Sequence, residues 1–387
     1  TEIKLFEKNY LVMKLKLFSS KAYFSDKADC IPMLYPFWEY PPESSDDPKS
    51  GMFDDYINVG NSLFELSPLE EADLAVLPTD WEPVLRLERQ EAAVQFVQHI
   101  KQSDKRSISF FSGDCSHLQL PINTDLIFRH SLYRSIRELN SFAFPAWSED
   151  FVQKYLNHQL LVRQKSAKPV VGFCGFAVTK SLKTYAKHFL YQGRKFFLKE
   201  KAGVPPYNIG HVLRLWALSK LSKSKLIEPN FVQRDYPVFF TEPDFAFQQR
   251  MRMEYVQNMV DSDYVFCCRG SGNYSFRFYE TLSCGRIPVF VDTDCVLPYD
   301  FAVNWKNYCV WVKETELHKI DEKIAEFHER ISPQEFINLQ YECRNLWEQW
   351  IAPAGFHRNL YRHLAVVQEN ANPLSLEVAS ATGSRSL

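Results

Sequence analysis

Neither sign of charge dominates this chain. Its 387 residues carry 45 Lys and Arg against 47 Asp and Glu, a formal net charge of −2. That balance excludes nucleic acid as the main partner, which calls for a clear basic excess. No uninterrupted apolar run reaches about 18 residues, so no transmembrane helix is written into the sequence. Leu11–Phe18 is broken by Lys14 and Lys16, which argues against the apolar core of a signal peptide. There is no Cys-x-x-Cys and no zinc-ligand spacing. The nine cysteines are odd in number and lie mostly in apolar, strand-like contexts. They read as buried free thiols in a reducing compartment rather than a disulfide framework. Internal repeats are absent.

What is present is a long, aromatic chain, with 31 Phe and 19 Tyr. Its length predicts two domains, each with a sizeable core. In the first half, strands are expected at 14–23, 74–77, 107–111 and 125–129, and a helix over 84–100. Strand alternating with helix indicates a parallel sheet. Gln164-Lys-Ser-Ala-Lys168 reads as a linker, and Pro169–Phe173 opens a new apolar strand. Helices are expected over 248–259, 315–331, 333–350 and 357–367. The domains are therefore set at 1–167 and 168–350, with 351–370 as a closing helix and 371–387 as a small, polar tail expected to be disordered.

The most informative stretch is 264–298. Tyr264–Cys268 reads as a buried strand, Arg269-Gly-Ser-Gly-Asn273 as a turn, and Ser275 as the N-cap of a helix running to Cys284. Gly285 is its stop. Ile287–Val291 is the next buried strand. A Gly-rich turn opening a helix at a sheet's carboxyl edge favours an anion. Arg277 and Glu280 share a helix face. A cation one turn from the helix N-terminus opposes the macrodipole and needs a partner. A diphosphate would supply one, with Glu280 accepting from ribose hydroxyls. An ordinary internal Arg–Glu pair fits the same spacing.

Ser275-Phe-Arg-Phe-Tyr-Glu280, Arg286-Ile-Pro-Val289, Leu297-Pro298, Asn304-Trp305 and Leu346-Trp347 resemble the C-terminal block of exostosin-family glycosyltransferases. Glu70–Pro78 and Phe173-Cys-Gly175 resemble two earlier segments of that family. The resemblance implies an α/β, GT-B fold: two Rossmann-like domains facing a central cleft, with a C-terminal helix crossing back to the first. It implies an inverting transferase that moves a sugar from a nucleotide-sugar, a UDP-sugar above all, to a glycan hydroxyl. The acceptor is free or linked to lipid or protein. Donor contacts are expected from Arg214, Arg269, Gly270, Ser271, Gly272, Asn273, Tyr274, Ser275, Arg277 and Glu280. Arg214 is carried over from a family arginine that serves the donor phosphates.

Inversion by single displacement needs a general base from the first domain. Asp114 and His117 are the candidates, because Ser112-Gly-Asp-Cys-Ser-His117 is a polar loop directly after a strand; Asp80 and Glu39 flank other strand ends. Each could equally be a loop-capping residue. No cofactor and no metal are expected. Asp292-Thr-Asp294 has the spacing of metal-binding carboxylates but follows a strand of a Rossmann-like unit. The basic, aromatic stretch 178–225 suggests peripheral membrane contact or a solvated helical face. The expected location is the cytoplasm or the cytoplasmic membrane face, or the Golgi lumen if an anchor preceded the chain. Two alternatives stay open: a fucosyltransferase-like GDP-sugar enzyme, and a non-catalytic partner subunit that binds glycan.

Overall fold

The computed structural model describes residues 14–23, 30–38, 50–116, 118–177, 209–236 and 244–371, with isolated positions 186 and 190. The first half forms six strands: β1 Leu15–Phe18, β2 Phe64–Leu66, β3 Leu74–Val76, β4 Ser107–Phe111, β5 Leu126–Arg129 and β6 Ser141–Ala143. Their order is β2-β1-β3-β4-β5-β6, and every neighbouring pair is parallel. The second sheet contains β7 Val170–Phe176, β8 Glu228–Arg234, β9 Tyr264–Cys267, β10 Ile287–Asp292 and β11 Val310–Lys313. Its order is β11-β10-β9-β7-β8, again parallel throughout. Crossover helices cover both faces of such sheets, so central strands are apolar along their whole length. β9 and β10 are buried at every position.

In each sheet the winding reverses once, between β1 and β3 and between β7 and β9. At such a reversal the carboxyl ends of two strands leave a crevice that receives ligands. The carboxyl edges of the two sheets face each other. Residues 131–134, just beyond β5, contact the turn after β9 and the segment after β10: Arg134 N–H donates to Asp294 O at 2.8 Å, and Val296 N–H to Leu132 O at 3.2 Å. The expected α/β architecture of two Rossmann-like sheets across a cleft is thus observed.

The C-terminal helices Pro353–Arg358 and Tyr361–Ala371 return to the first sheet. Phe356 and His363 meet Phe128 of β5 edge-on at 5.5 and 4.8 Å. His357 stacks on Tyr56 at 3.9 Å. Burial pushes both imidazoles down to about 3, so they are neutral at pH 7.

Several boundaries differ from the sequence reading. The expected helix 357–367 is two helices, separated where Asn359 turns its side chain onto Gln349 O and Gly355 O. The helix from Pro333 ends at Leu346 and widens into a π-type turn, Trp347–Ile351, before Pro353. The helix expected over 248–259 begins earlier, at Phe245, because Asp244 caps it by accepting from Ala246 N and Phe247 N. β2, β6, β8 and β11 are additional strands. All four are edges, and β8 carries Pro229, which an edge tolerates because one side of the strand needs no donor. All nine cysteines are free thiols. Among the described residues, no helix is long and apolar enough to cross a membrane. His117, Glu39, the tail 372–387 and most of 178–208 lie outside the described residues.

Candidate functional site

The turn after β9 leads into the helix Phe276–Ser283. Ser275 occupies its N-cap with extended backbone, but its side chain makes no cap bond, so the first-turn N–H groups keep no side-chain acceptor there. The helix stops as expected: Gly285 has φ +62°, and Arg286 N–H returns to Thr281 O at 2.9 Å.

Three arginines converge on this crevice from three elements. Arg277 lies over the Phe173 ring of β7 at 4.3 Å and donates to Cys174 O at 2.7 Å. Gly175 follows with φ +144°, where a Cβ would crowd the Arg277 guanidinium. Arg214 comes from the helix Ile209–Leu221 and donates to Phe176 O at 2.7 Å and Arg269 O at 3.3 Å. Gly210, at the start of that helix, abuts the turn so closely that a Cβ would collide with Arg269 O and Gly270 O. Arg269 is buried and donates to Tyr133 Oη at 2.5 Å, Asn273 Oδ1 at 3.2 Å and Ser271 O at 2.7 Å.

Among the described residues, none of the three has a carboxylate within ion-pair distance. Their acceptors are carbonyls, an amide and two phenols. Arg214 is pushed down to about 10 by burial, with the charge of Arg277 adding to the effect. Arg277 is raised: burial works against its charge, and ionised Tyr255 and Cys267 would work for it. Both are neutral at pH 7, with Cys267 itself pushed up to about 12 by burial, so neither supplies countercharge. The crevice between β7 and β9 is thus a half-buried concentration of positive charge, with the Phe276–Ser283 helix opening onto it.

Glu280 is 5% exposed and accepts from Arg252 Nη2 at 3.2 Å and Tyr255 Oη at 2.5 Å. It does not pair directly with Arg277; Tyr255 lies between them, accepting from Arg277 Nε at 3.3 Å. Arg252 also donates to Glu149 at 2.6 and 2.8 Å. Burial lowers the Arg252 pKa, but Glu280 and then Glu149 outweigh it and hold the guanidinium firmly charged. Each Glu280 oxygen keeps a second lone pair beyond these bonds.

Asn273 is fully buried. It donates from its backbone to Ser131 Oγ at 2.7 Å and from its side chain to Leu132 O at 3.2 Å, and accepts from Thr293 at 2.6 Å. It locks the turn to the first half. Asp292 and Asp294 are part of the same contact. Asp292 accepts from Trp311 Nε1 at 3.2 Å and Cys295 N at 3.1 Å, and lies 3.5 Å from Arg134. Asp294 accepts from Ser135 Oγ at 2.5 Å. No grouping of three or more His, Cys, Asp or Glu fit for a metal occurs among the described residues.

On the facing side, Asp114 is exposed in the loop after β4, with its Oδ1 and the Tyr274 ring both close to Gly272. Gly270 is open and Ser271 exposed at the mouth. Asp80, by contrast, is a loop tie: it caps the helix Trp81–Arg86 and accepts from Ser112 N and Oγ. Burial pushes its carboxyl up to about 6, against those bonds. Glu149, Arg252, Tyr255 and Gly210 were not foreseen as site residues.

Two parallel α/β sheets meet over a cationic crevice. Residues 232–326 match the Exostosin GT47 domain, so this segment of the chain is similar to that of exostosin-type glycosyltransferases. Exostosin-1 of Drosophila melanogaster is 28% identical over 99 residues, 26% of this chain and 12% of its own. The exostosin-1 homolog of Caenorhabditis elegans is 27% identical over 100 residues, 26% of this chain and 25% of its own. A probable glucuronosyltransferase, GUT1, of Oryza sativa subsp. japonica is 29% identical over 83 residues, 21% and 20%. The matched segment thus spans a quarter or less of each relative. Among solved structures, the catalytic domain of Starch Synthase IV from Arabidopsis thaliana covers 86% of this chain and 80% of its own, at 10% identity and TM-score 0.31. That score adds nothing to the architecture, which stands on the two sheets.

Proposed function

We propose that this protein is an inverting glycosyltransferase that takes a nucleotide-sugar, a UDP-sugar, in the crevice between β7 and β9 and transfers the sugar to a glycan hydroxyl. The observation that carries this reading is the set Arg214, Arg269 and Arg277, gathered at the winding reversal without carboxylate partners among the described residues. A diphosphate supplies the missing countercharge, and preorganised donors aimed at a departing diphosphate lower the barrier without reorganising. Ser271, Gly272 and the N–H groups following Ser275 add uncharged donors. Glu280 accepts from the ribose with its remaining lone pairs.

In the transfer, an acceptor oxygen forms its bond to the anomeric carbon as the bond to the diphosphate breaks. The bonding electron pair leaves with the diphosphate, and the acceptor proton passes to the Asp114 carboxylate. Asp114 suits this role because it is exposed and comes from the sheet opposite the donor crevice. The charge is handled by arginines and helix ends, so no metal is needed.

A second reading has one observation in its favour. Both Glu280 oxygens already hold protein donors, as they would in a partner subunit that kept the fold and lost the nucleotide. Calorimetry separates the two. UDP should bind, with the same affinity before and after EDTA. No binding of UDP, GDP or CMP would favour the non-catalytic subunit, and loss of binding on chelation would bring Asp292 and Asp294 back as ligands.

A further inference from the structure

Glu149 and Glu280 compete for one guanidinium. Arg252 gives Glu149 the whole edge formed by Nε and Nη2, and both hydrogen bonds end on Oε1, at 2.8 and 2.6 Å. Glu280 receives only a further contact from Nη2, on its own Oε1 at 3.2 Å. Glu149 is buried and is braced in turn: Tyr155 Oη donates to the same oxygen at 2.9 Å. It directly precedes Asp150, which caps the helix Phe151–Tyr155. The Arg252 guanidinium lies over the Phe151 ring at 4.6 Å. The better-bonded edge of Arg252 is therefore turned to the segment after β6, away from the donor helix.

We infer that Glu149 is a positioning residue: by occupying one edge of Arg252 it keeps the Glu280 carboxylate available to ribose hydroxyls, and so sets the preference of the site for a ribonucleotide. This rests on the reading of the crevice as a nucleotide site. Two buried carboxylates share one cation, so one formal negative charge is left without an ion pair among the described residues. A buried charge needs hydrogen-bond donors. Tyr255 is one, on Glu280 Oε2, and two ribose hydroxyls would be others. Without Glu149, the Nε–Nη2 edge turns to Glu280 and holds it by two bonds, the arrangement that guanidinium and carboxylate favour. The lone pairs that would accept from the ribose then accept from Arg252 instead. The contacts of the diphosphate, which lie on Arg214, Arg269 and Arg277, are unaffected.

The test compares UDP with 2′,3′-dideoxy-UDP by calorimetry. The full-length proteins are wild type, Glu149→Ala, Glu149→Gln, and a double variant that joins Glu149→Ala to Arg252→Met. Wild type should bind UDP about 10- to 150-fold more tightly than the dideoxy nucleotide, the worth of one charge-assisted hydrogen bond. Glu149→Ala should shrink that ratio by about 5-fold or more, with the dideoxy nucleotide bound as in wild type. Glu149→Gln keeps the shape and one oxygen but loses the charge, and charged bonds are about twice as strong as neutral ones. Its ratio should shrink by about 2- to 3-fold. In the double variant no guanidinium is left to claim Glu280, so the ratio should recover. Should Glu149→Ala not fold, the isosteric Glu149→Gln carries the test.

An unchanged ratio in the single variants would overturn the positioning role while leaving the nucleotide site in place. So would an equal fall in affinity for both nucleotides, which marks Glu149 as a residue of the fold alone. A ratio that stays low in the double variant would overturn the competition for Arg252. A wild type that binds both nucleotides equally removes Glu280 as the ribose acceptor, and a wild type that binds neither removes the nucleotide reading; each takes this inference with it.

Discussion

Arg252 holds two buried carboxylates at once, Glu149 at 2.6 Å and Glu280 at 3.2 Å, and so ties the donor helix to the segment that follows β6. The family-type Glu280 is therefore a structural member as well as a proposed ribose acceptor. Breaking a buried pair from one side costs about 3–5 kcal/mol. Glu280→Ala should lose stability of that order in denaturant melts. It should also weaken UDP binding by roughly 10-fold or more, the worth of one charge-assisted hydrogen bond of about 1.5–3 kcal/mol. A stability loss with UDP affinity intact in the folded fraction would leave Glu280 a purely structural residue.

Arg214 makes the opposite kind of prediction. It is a half-buried cation without a carboxylate partner among the described residues, depressed by burial and by Arg277. Arg214→Met removes charge repulsion at the expense of two carbonyl contacts. Melting temperature should change little, while UDP affinity falls by about 10- to 150-fold. A large drop in melting temperature with unchanged UDP binding would show that Arg214 serves the fold alone.

The product's anomeric configuration tests the mechanism. Single displacement with a base on the facing sheet turns an α-linked nucleotide-sugar into a β-linked product. Proton NMR of the product reads the anomeric coupling. An α-linkage would mean that a single base is the wrong search.

Stability should fall in acid earlier than carboxylates alone require. His357 and His363 sit at about 3 when folded, against 6.5 as the ordinary value. Below pH 6.5 the unfolded chain takes up protons that the folded chain refuses, so stability declines from there and levels off near pH 3. Each histidine should cost about 1–3 kcal/mol by pH 4.5. Melts of wild type and His363→Phe from pH 8 to 4.5 check this, and the variant should show the shallower slope. Equal slopes would mean that His363 carries none of the effect.

The strongest sequence signals proved to be those that needed one element only. Strand, turn, helix and strand over 264–292 were legible because burial on both faces makes β9 and β10 continuous apolar runs, and Gly285 marks the helix end. The four edge strands β2, β6, β8 and β11 escaped because edge strands are short or half-polar; Glu228-Pro-Asn-Phe-Val-Gln-Arg234 alternates poorly and contains a proline. The arginines of the crevice were named from a family likeness. The partners of Glu280 were not, because Arg252 stands 28 positions earlier and Tyr255 25, on another helix. Such partners are set by how the sheets stack, and nothing local records it.

The helices that return to β5 bear on how the chain is made. Phe128, Phe142, Phe144 and Trp147 form a floor that Phe356, His357 and His363 complete. A ribosome delivers the floor more than two hundred residues before its cover. Until residue 363 has emerged, the amino-terminal sheet carries an open aromatic surface. The half synthesised first is thus the half finished last.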